Sequence, residues 1–200
     1  MLAAHRDQLR DLEAAGRLRT LRPRLGVDFA SNDYLGLAGS AALGAAVAAA
    51  LERGVPVGSG GSRLLRGNHP EHEALEAEAA SLFGSEAALY LSSGYAANSA
   101  MLATLPQTGD LVVHDALIHA SAHEGMRLGR AETLAFAHND VADLEAAVAG
   151  WRARGGRGRV WIAVESLYSM DGDRAPLAAM AAAADRLDAM LLVDEAHAVG

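Results

Sequence analysis

Short apolar runs alternate with longer segments of helical spacing through the second half of the sequence. The apolar runs lie at residues 87–91, 111–115, 132–137, 159–165 and 190–196. The helical segments between them lie at residues 95–105, 119–128, 140–149 and 176–187. Continuous apolar strands that alternate with helices are typical of a parallel sheet with helices on both faces. The sequence therefore predicts an α/β fold with a mainly parallel sheet.

The first part of the sequence predicts helices without strands between them. Leu2–Leu18 has the pattern of an amphipathic helix, and a connector leads to a second helix at Leu43–Arg53. Residues 54–70 contain too many Gly and Pro residues for a regular element, so we expect a loop there. Helical spacing resumes at residues 71–83, and Gly84 stands where the end of that helix is expected.

The composition excludes several classes of chemistry. All 17 basic residues are arginines, so the sequence has no lysine, and it has no cysteine either. A phosphate-binding P-loop, Ser-Lys catalysis, disulfides and cysteine-ligated metals are therefore excluded within these residues. With 25 acidic residues the net charge is -8, which argues against a nucleic-acid surface and against an anionic membrane. We expect small-molecule or protein partners.

Neither a leader nor a membrane span is evident in the sequence. The N-terminal residues alternate apolar and charged side chains and lack the apolar core of a signal peptide. The alanine-rich stretches Ala41–Leu51 and Leu177–Ala184 are shorter than the roughly 20 residues that a membrane helix needs. We therefore expect no membrane association and a cytoplasmic location.

A glycine motif follows the first apolar run. The segment SSGYAAN at residues 92–98 comes directly after that run and opens a predicted helix. Backbone N–H groups and the helix dipole at such a turn suit a phosphate group, and Gly94 lets the backbone approach it. An ordinary strand–helix turn would look the same at this level.

Two further strand ends carry polar residues. Asp194 follows the run 190–193, and SLYSMDGD at residues 166–173 follows the run that ends at Glu165. Ligands of open α/β sheets bind outside the carboxyl ends of the strands, so both segments are expected to face the same crevice as Gly94. The letters DEAH at residues 194–197 also mark nucleic-acid-dependent ATPases, which need the phosphate-binding lysine that this sequence lacks.

A metal site is not expected. His119 and His123 are four residues apart on a predicted helix and could share one face as ligands. No third ligand has a suitable spacing, and single histidines are more often ordinary core or surface residues.

Seven motifs together resemble one family. They are FASNDYLGL (29–37), GSGGSRLLRGNHPEHEALE (58–76), LYLSSGYAANSAML (89–102), HDALIHAS (114–121), FAHND (136–140), SMDGD (169–173) and VDEAHAVG (193–200). In this order they resemble the α-oxoamine synthases, which are pyridoxal 5'-phosphate (PLP) enzymes of fold type I. The stretch at residues 61–76 is most similar to the branch of the family that acts in biotin biosynthesis.

The resemblance implies roles for residues around the cofactor. Gly94 and Tyr95 would offer backbone N–H groups to the cofactor phosphate. His119 would stack over the pyridine ring and contact the substrate, and Asp194 would pair with the pyridinium nitrogen. Together with His197, these two residues would form the catalytic group.

The remaining implied roles concern the ring oxygen and the substrate. His197 would hydrogen-bond the ring 3-oxygen, and Ser169 would help to place the same oxygen or the phosphate. Asn32 and Arg19 would lie at the substrate end, with Arg19 as a candidate contact for the acyl thioester.

The resemblance also implies a reaction and an assembly. The reaction is the condensation of L-alanine with a pimeloyl thioester, with loss of carbon dioxide, to give 8-amino-7-oxononanoate. The assembly is a homodimer with its active site near the subunit interface. Residues 1–40 would form an N-terminal helix and connector, and residues 41–200 an incomplete PLP-binding large domain.

One departure from the family pattern concerns the lysine that holds the cofactor. In the family this lysine follows the DEAH-like segment, and the sequence has none. We therefore expect a chain cut before this lysine and before the small C-terminal domain, without turnover by itself. The alternatives are another α-oxoamine synthase, of the 2-amino-3-ketobutyrate ligase or serine palmitoyltransferase type, and a lysine-free, non-catalytic PLP-binding protein.

Overall fold

A computed structural model describes residues 2–23 and 25–199. The chain divides into two compact units, Met1–Asn68 and His69–Gly200. This division concerns packing within each unit, and the domain boundary after residue 40 stays a prediction. Gly200, the last residue of the VDEAHAVG motif, lies outside the described residues.

The first unit is helical, as its sequence predicts. Helix α1 spans Leu2–Ala14, helix α2 spans Ala41–Glu52, and a π-helical turn spans Arg63–Gly67. Helix α1 ends earlier than expected because Gly16 takes a left-handed conformation with φ of 66°. The π-helical turn shows that the prediction of a loop without any regular element at residues 54–70 was wrong.

The second unit contains, in its described residues 69–199, a parallel sheet and five helices. The strands are β1 (Leu111–Asp115), β2 (Glu132–Phe136), β3 (Val160–Glu165) and β4 (Ala189–Asp194). The helices are α3 (Pro70–Phe83), α4 (Gly94–Thr104), α5 (Ala120–Leu128), α6 (Val141–Ala153) and α7 (Leu177–Leu187). The strand order is β2-β1-β3-β4, and every neighbouring pair is parallel. The predicted α/β fold with a parallel sheet is confirmed.

Two strand predictions need correction. Residues 87–91 form no strand, because an apolar run becomes a strand only when a neighbouring strand hydrogen-bonds with it. The last strand ends at Asp194 and not at residue 196, since the Asp194 carboxylate accepts a hydrogen bond from the backbone N–H of Ala196 and turns the chain.

Local sequence signals set several helix ends. The side chains of Ser93 and Asp140 cap α4 and α6 by accepting backbone N–H groups of the first turn. Gly84 ends α3 in the left-handed conformation, with φ of 64°. Pro176 stands at the N-cap of α7, where its missing N–H costs no helical hydrogen bond.

Alternating side chains of the strands build a core on each face of the sheet. On one face, Leu111, Val113 and Ile162 pack with α6 and α7 residues that include Leu144 and Met180. On the other face, the strand residues Val112, Trp161, Ala163 and Leu192 pack with Leu102 of α4 and with Ala122 and Met126 of α5. Because both faces are covered, the sheet exposes ligand-binding positions mainly at its edges and strand ends.

Helices α4 and α5 approach each other closely at Gly125. An added Cβ at this position would lie 2.8 Å from the Ser99 carbonyl oxygen and 2.9 Å from the Leu102 Cβ. The Ser99 hydroxyl also donates a hydrogen bond to the Ser121 carbonyl, 3.1 Å away. The contact fixes the relative position of two helices whose N-termini lie beside the strand ends.

We expect Gly125→Ala to lower the free energy of unfolding by about 1–3 kcal/mol, since the new methyl group meets backbone that cannot move aside. Gly150→Ala in α6 is the matched control, because its nearest contact is an arginine side-chain nitrogen at 3.6 Å. There the gain in helix propensity is expected to raise stability by up to about 1 kcal/mol. Denaturant unfolding measures both, and equal effects of the two substitutions would contradict the close helix contact.

Candidate functional site

The carboxyl edge of the sheet collects three acidic residues. Asp115, Glu165 and Asp194 are the last residues of β1, β3 and β4. Glu165 and Asp194 are also register partners in the β3–β4 pair. Because the strands are parallel, their carboxyl ends meet at one edge, as ligand sites of open α/β sheets require.

Asp194 is held in place by an asparagine from α4. The Asn98 Nδ2 donates to one oxygen of the Asp194 carboxylate at 2.6 Å and to the Ser121 hydroxyl at 3.0 Å. The other carboxylate oxygen accepts the backbone N–H of Ala196 at 2.9 Å. The carboxylate is half-buried and fixed from two sides.

The N-terminus of α4 presents open backbone donors. Gly94 and Tyr95 are its first two residues, and their N–H groups have no partner within the helix, as in any helix start. The Ser93 hydroxyl takes the next N–H group, that of Ala96, at 3.1 Å. A Cβ built on Gly94 would meet nothing within 4 Å, so the space in front of this turn is open. Such a turn suits an anion such as a phosphate.

His119 lies beside this turn and caps α5. Its Nδ1 accepts the backbone N–H of Ser121 at 3.2 Å and lies 2.7 Å from the Ser121 hydroxyl. Its ring is exposed and stands edge-on to the Tyr95 ring, with centroids 6.2 Å apart. Ser121 and Asn98 thus connect His119 to Asp194 through a continuous chain of hydrogen bonds.

Glu165 is a buried carboxyl group that the sequence reasoning missed. Only 3% of the residue is exposed, and burial, together with the neighbouring Asp194 charge, raises the pKa of its carboxyl group. The backbone of His119 and of Ser169 acts in the opposite direction on this pKa, with a smaller effect. Its position at the end of an apolar strand was the available signal, the same one that pointed to Asp194. Asn98 was missed because its role comes from a partner 96 residues away.

The other residues singled out from sequence lie in three places. Ser169 is exposed in the loop after β3, and His197 is half-buried three residues after Asp194. Arg19 and Asn32 are exposed residues of the first unit. The implied roles of these four residues stay predictions.

Residues 2–23 and 25–199 contain no cluster of three or more His, Cys, Asp or Glu side chains placed to hold a metal ion. Within the same ranges no helix has the length and apolar character to cross a membrane.

The sequence matches curated proteins over almost its full length. The family model for aminotransferase class I and II matches residues 25–200. An 8-amino-7-oxononanoate synthase of Methylobacterium nodulans is 47% identical over 96% of this chain and 54% of the relative. The enzyme of the same name from Emericella nidulans is 42% identical over 98% of the chain and 52% of the relative. The chain thus spans about half the length of these relatives.

Solved structures give the same result for the fold. Serine palmitoyltransferase of Sphingomonas wittichii is 38% identical, with a TM-score of 0.75 over 81% of this chain and 40% of that one. A serine palmitoyltransferase of S. paucimobilis with a bound PLP–myriocin aldimine has a TM-score of 0.82 at 29% identity, over 96% of this chain and 51% of that one. The resemblance to 8-amino-7-oxononanoate synthase and the fold class predicted with it are confirmed. The chain belongs to the aminotransferase class I and II family, PLP-dependent enzymes of fold type I.

Proposed function

We propose that this chain forms the PLP-binding part of an 8-amino-7-oxononanoate synthase. The observation that carries the proposal is the Asp194 carboxylate, which Asn98 holds at the strand edge onto which the sequence motifs converge. Relatives of that name at 42–47% identity support the assignment. The proposed activity is that of an acyltransferase of biotin biosynthesis, located in the cytoplasm and active as a homodimer.

The residues at the strand edge fit the three parts of PLP. The open N–H groups of Gly94 and Tyr95 suit its phosphate. The fixed carboxylate of Asp194 suits a protonated ring nitrogen, because an opposite charge nearby favours the charged form. The exposed, planar ring of His119 suits the face of the pyridine ring.

PLP, when bound, supplies an electron sink for negative charge on the amino-acid substrate. The contribution of Asp194 is to keep a proton on the ring nitrogen, and that of Asn98 is to hold the Asp194 carboxylate in one orientation. The raised pKa of Glu165 limits the negative charge that accumulates beside Asp194.

The proposed reaction joins L-alanine and a pimeloyl thioester. The carboxylate of alanine leaves as carbon dioxide, the thiol leaves from the acyl group, and 8-amino-7-oxononanoate is released. In this proposal His197 contacts the ring 3-oxygen, and Ser169 contacts that oxygen or the phosphate. Asn32 and Arg19 serve the substrate end.

A second candidate is the condensation of L-serine with a palmitoyl thioester. The similarity to serine palmitoyltransferase structures at 38% identity favours it. The two reactions would use the same cofactor site, and they differ in the amino acid and in the acyl chain. Product analysis therefore separates them.

We expect Asp194→Asn to weaken PLP binding by about tenfold or more, since it removes the charge but keeps the shape of the side chain. Glu195→Gln is the matched control, because Glu195 is the next residue and is exposed. Its affinity is expected to stay within about twofold of the unmodified protein. A titration followed by PLP absorbance measures both affinities. Equal affinities for the two variants would contradict the role of Asp194.

Asn98→Ala is expected to weaken PLP binding by about threefold to tenfold, the size of one lost hydrogen bond. The loss comes from a carboxylate that is no longer oriented. Ser99→Ala is the control, because the Ser99 hydroxyl bonds the Ser121 carbonyl and makes no contact with Asp194. The same titration applies, and a Ser99→Ala loss as large as that of Asn98→Ala would show a general effect of the α4–α5 packing.

Product analysis of the protein purified from its source tests the reaction. Offered both substrate pairs, it is expected to form the alanine-derived product at least about tenfold faster than the serine-derived one. Mass spectrometry identifies the product. Release mainly of the serine-derived ketone would overturn the substrate assignment in favour of the second candidate, and PLP binding without either product would favour a non-catalytic protein. The 200-residue chain alone is expected to form no product, because it has no lysine.

A further inference from the structure

A histidine outside the proposed cofactor contacts lies between two carboxylates. His138 follows β2 by two residues, and its Nδ1 lies 2.8 Å from an oxygen of Asp115. Its Nε2 lies 2.8 Å from an oxygen of Asp173. An ionised carboxylate can only accept hydrogen bonds, so the ring satisfies both neighbours only when both of its nitrogens carry protons. His138 therefore fits its surroundings as an imidazolium.

The anchor of this arrangement is Asp115, which is fully buried. Its two oxygens also accept the backbone N–H groups of Leu117 and Asn139, each at 2.8 Å. Asn139 takes a left-handed conformation with φ of 58°, and its side chain donates to the same Asp173 oxygen at 2.8 Å. A left-handed conformation is uncommon for a residue other than glycine, although asparagine tolerates it. The backbone here is bent so that two consecutive side chains reach Asp173.

Asp173 belongs to the loop 166–175, which carries Ser169. The loop is closed by backbone hydrogen bonds from Tyr168 to Asp173, from Gly172 to Tyr168 and from Ala175 to Ser166, with lengths of 2.8–3.1 Å. The Tyr168 ring is buried and stands edge-on to the His138 ring, with centroids 4.5 Å apart. His138 thus contacts the loop on both sides of Ser169, through Tyr168 and through Asp173.

We propose that His138 is a positioning residue that ties the loop 166–175 to the buried Asp115 and so sets the position of Ser169 at the strand edge. The inference rests on the proposed function in one respect, namely that this edge binds PLP. The link between His138 and the loop stands on the contacts alone.

Protonation of His138 makes the link sensitive to pH. Burial lowers the pKa of His138, because it disfavours the positively charged ring. The hydrogen bonds to Asp115 and Asp173 outweigh this effect of burial, so the pKa of His138 lies above its ordinary value. The titratable groups that face the ring are Asp115 from β1 and Asp173 and Tyr168 from the loop. Burial raises the pKa of Tyr168, so this phenol stays neutral. Asp140 and Asp143 lie nearby at the start of α6.

The pKa shifts of His138 and Asp115 determine the pH range in which the loop is held. A histidine with a raised pKa contributes stability fully below its ordinary pKa of about 6.5, and this contribution is lost as the pH rises through the raised value. The pKa of Asp115 is lowered, because hydrogen bonds from Asn139 and His138 outweigh the effect of burial. Its contribution is therefore lost only as the pH falls through that lowered value. The loop is held most firmly between the ordinary aspartate pKa of about 3.9 and the ordinary histidine pKa of about 6.5.

Hydrogen–deuterium exchange of the purified protein tests the link without any cofactor. In His138→Gln, the amides of Tyr168, Gly172 and Ala175 are expected to exchange about tenfold faster or more, because glutamine has only one donor group for two carboxylates. Amides in β1 and β3 are expected to keep their protection. His5→Gln is the control, because His5 lies in the first unit. In this variant the loop 166–175 is expected to exchange as in the unmodified protein.

Asp173→Asn provides a second variant in which the side chain keeps an acceptor but loses its charge. It is expected to lower the pKa of His138, measured by imidazole NMR, and to shift the loosening of the loop to lower pH. Unchanged loop exchange in both variants would overturn the proposal. Exchange that rises equally in the loop and in β1 and β3 would overturn it as well, because it would show a general loss of stability.

PLP affinity, measured on the same samples, separates this inference from the proposed function. When the unmodified protein binds PLP, we expect His138→Gln to bind it more weakly and with a flatter pH profile above pH 6.5. A protein that binds no PLP at any pH would refute the proposed function. The exchange data would still decide whether His138 holds the loop.

Discussion

The parallel pairing of β1, β3 and β4 forces three carboxyl groups onto one edge of the sheet. Ionised carboxylates at such buried positions are costly unless they are paired or protonated. The three groups meet this demand in different ways. Asp115 is bonded by backbone N–H groups and by His138, and Glu165 has a raised pKa. Asp194 is bonded by Asn98 and keeps part of its surface open, which leaves it accessible for the pairing with PLP that we propose.

Asn98 and His138 support the proposed site from opposite sides. Asn98 connects Asp194 with Ser121 and so with the helix N-termini of α4 and α5. His138 connects the buried Asp115 with the loop that carries Ser169. Each fixes a group that would touch the cofactor, and neither is itself among the implied cofactor contacts. The arrangement is typical of sites whose contact residues need support from a second layer of hydrogen bonds.

The sequence was sufficient for most of the fold, because apolar runs and helix caps are local signals. Four of the predicted strands formed, and Ser93, Asp140 and Gly84 mark helix ends as such residues usually do. The apolar run at residues 87–91 failed because pairing with a neighbour, and not composition, makes a strand. Asn98 was missed for a similar reason, since its importance depends on a contact with a residue distant in sequence. Glu165 ends an apolar strand as Asp194 does, so the local signal for it was present in the sequence.

The most direct measurement of the central claim is a crystal structure of the protein with added PLP. We expect a phosphate at the backbone N–H groups of Gly94 and Tyr95, with the ring nitrogen hydrogen-bonded to Asp194 and the His119 ring over the pyridine. A phosphate bound away from α4, or a ring nitrogen that faces a group other than Asp194, would contradict it.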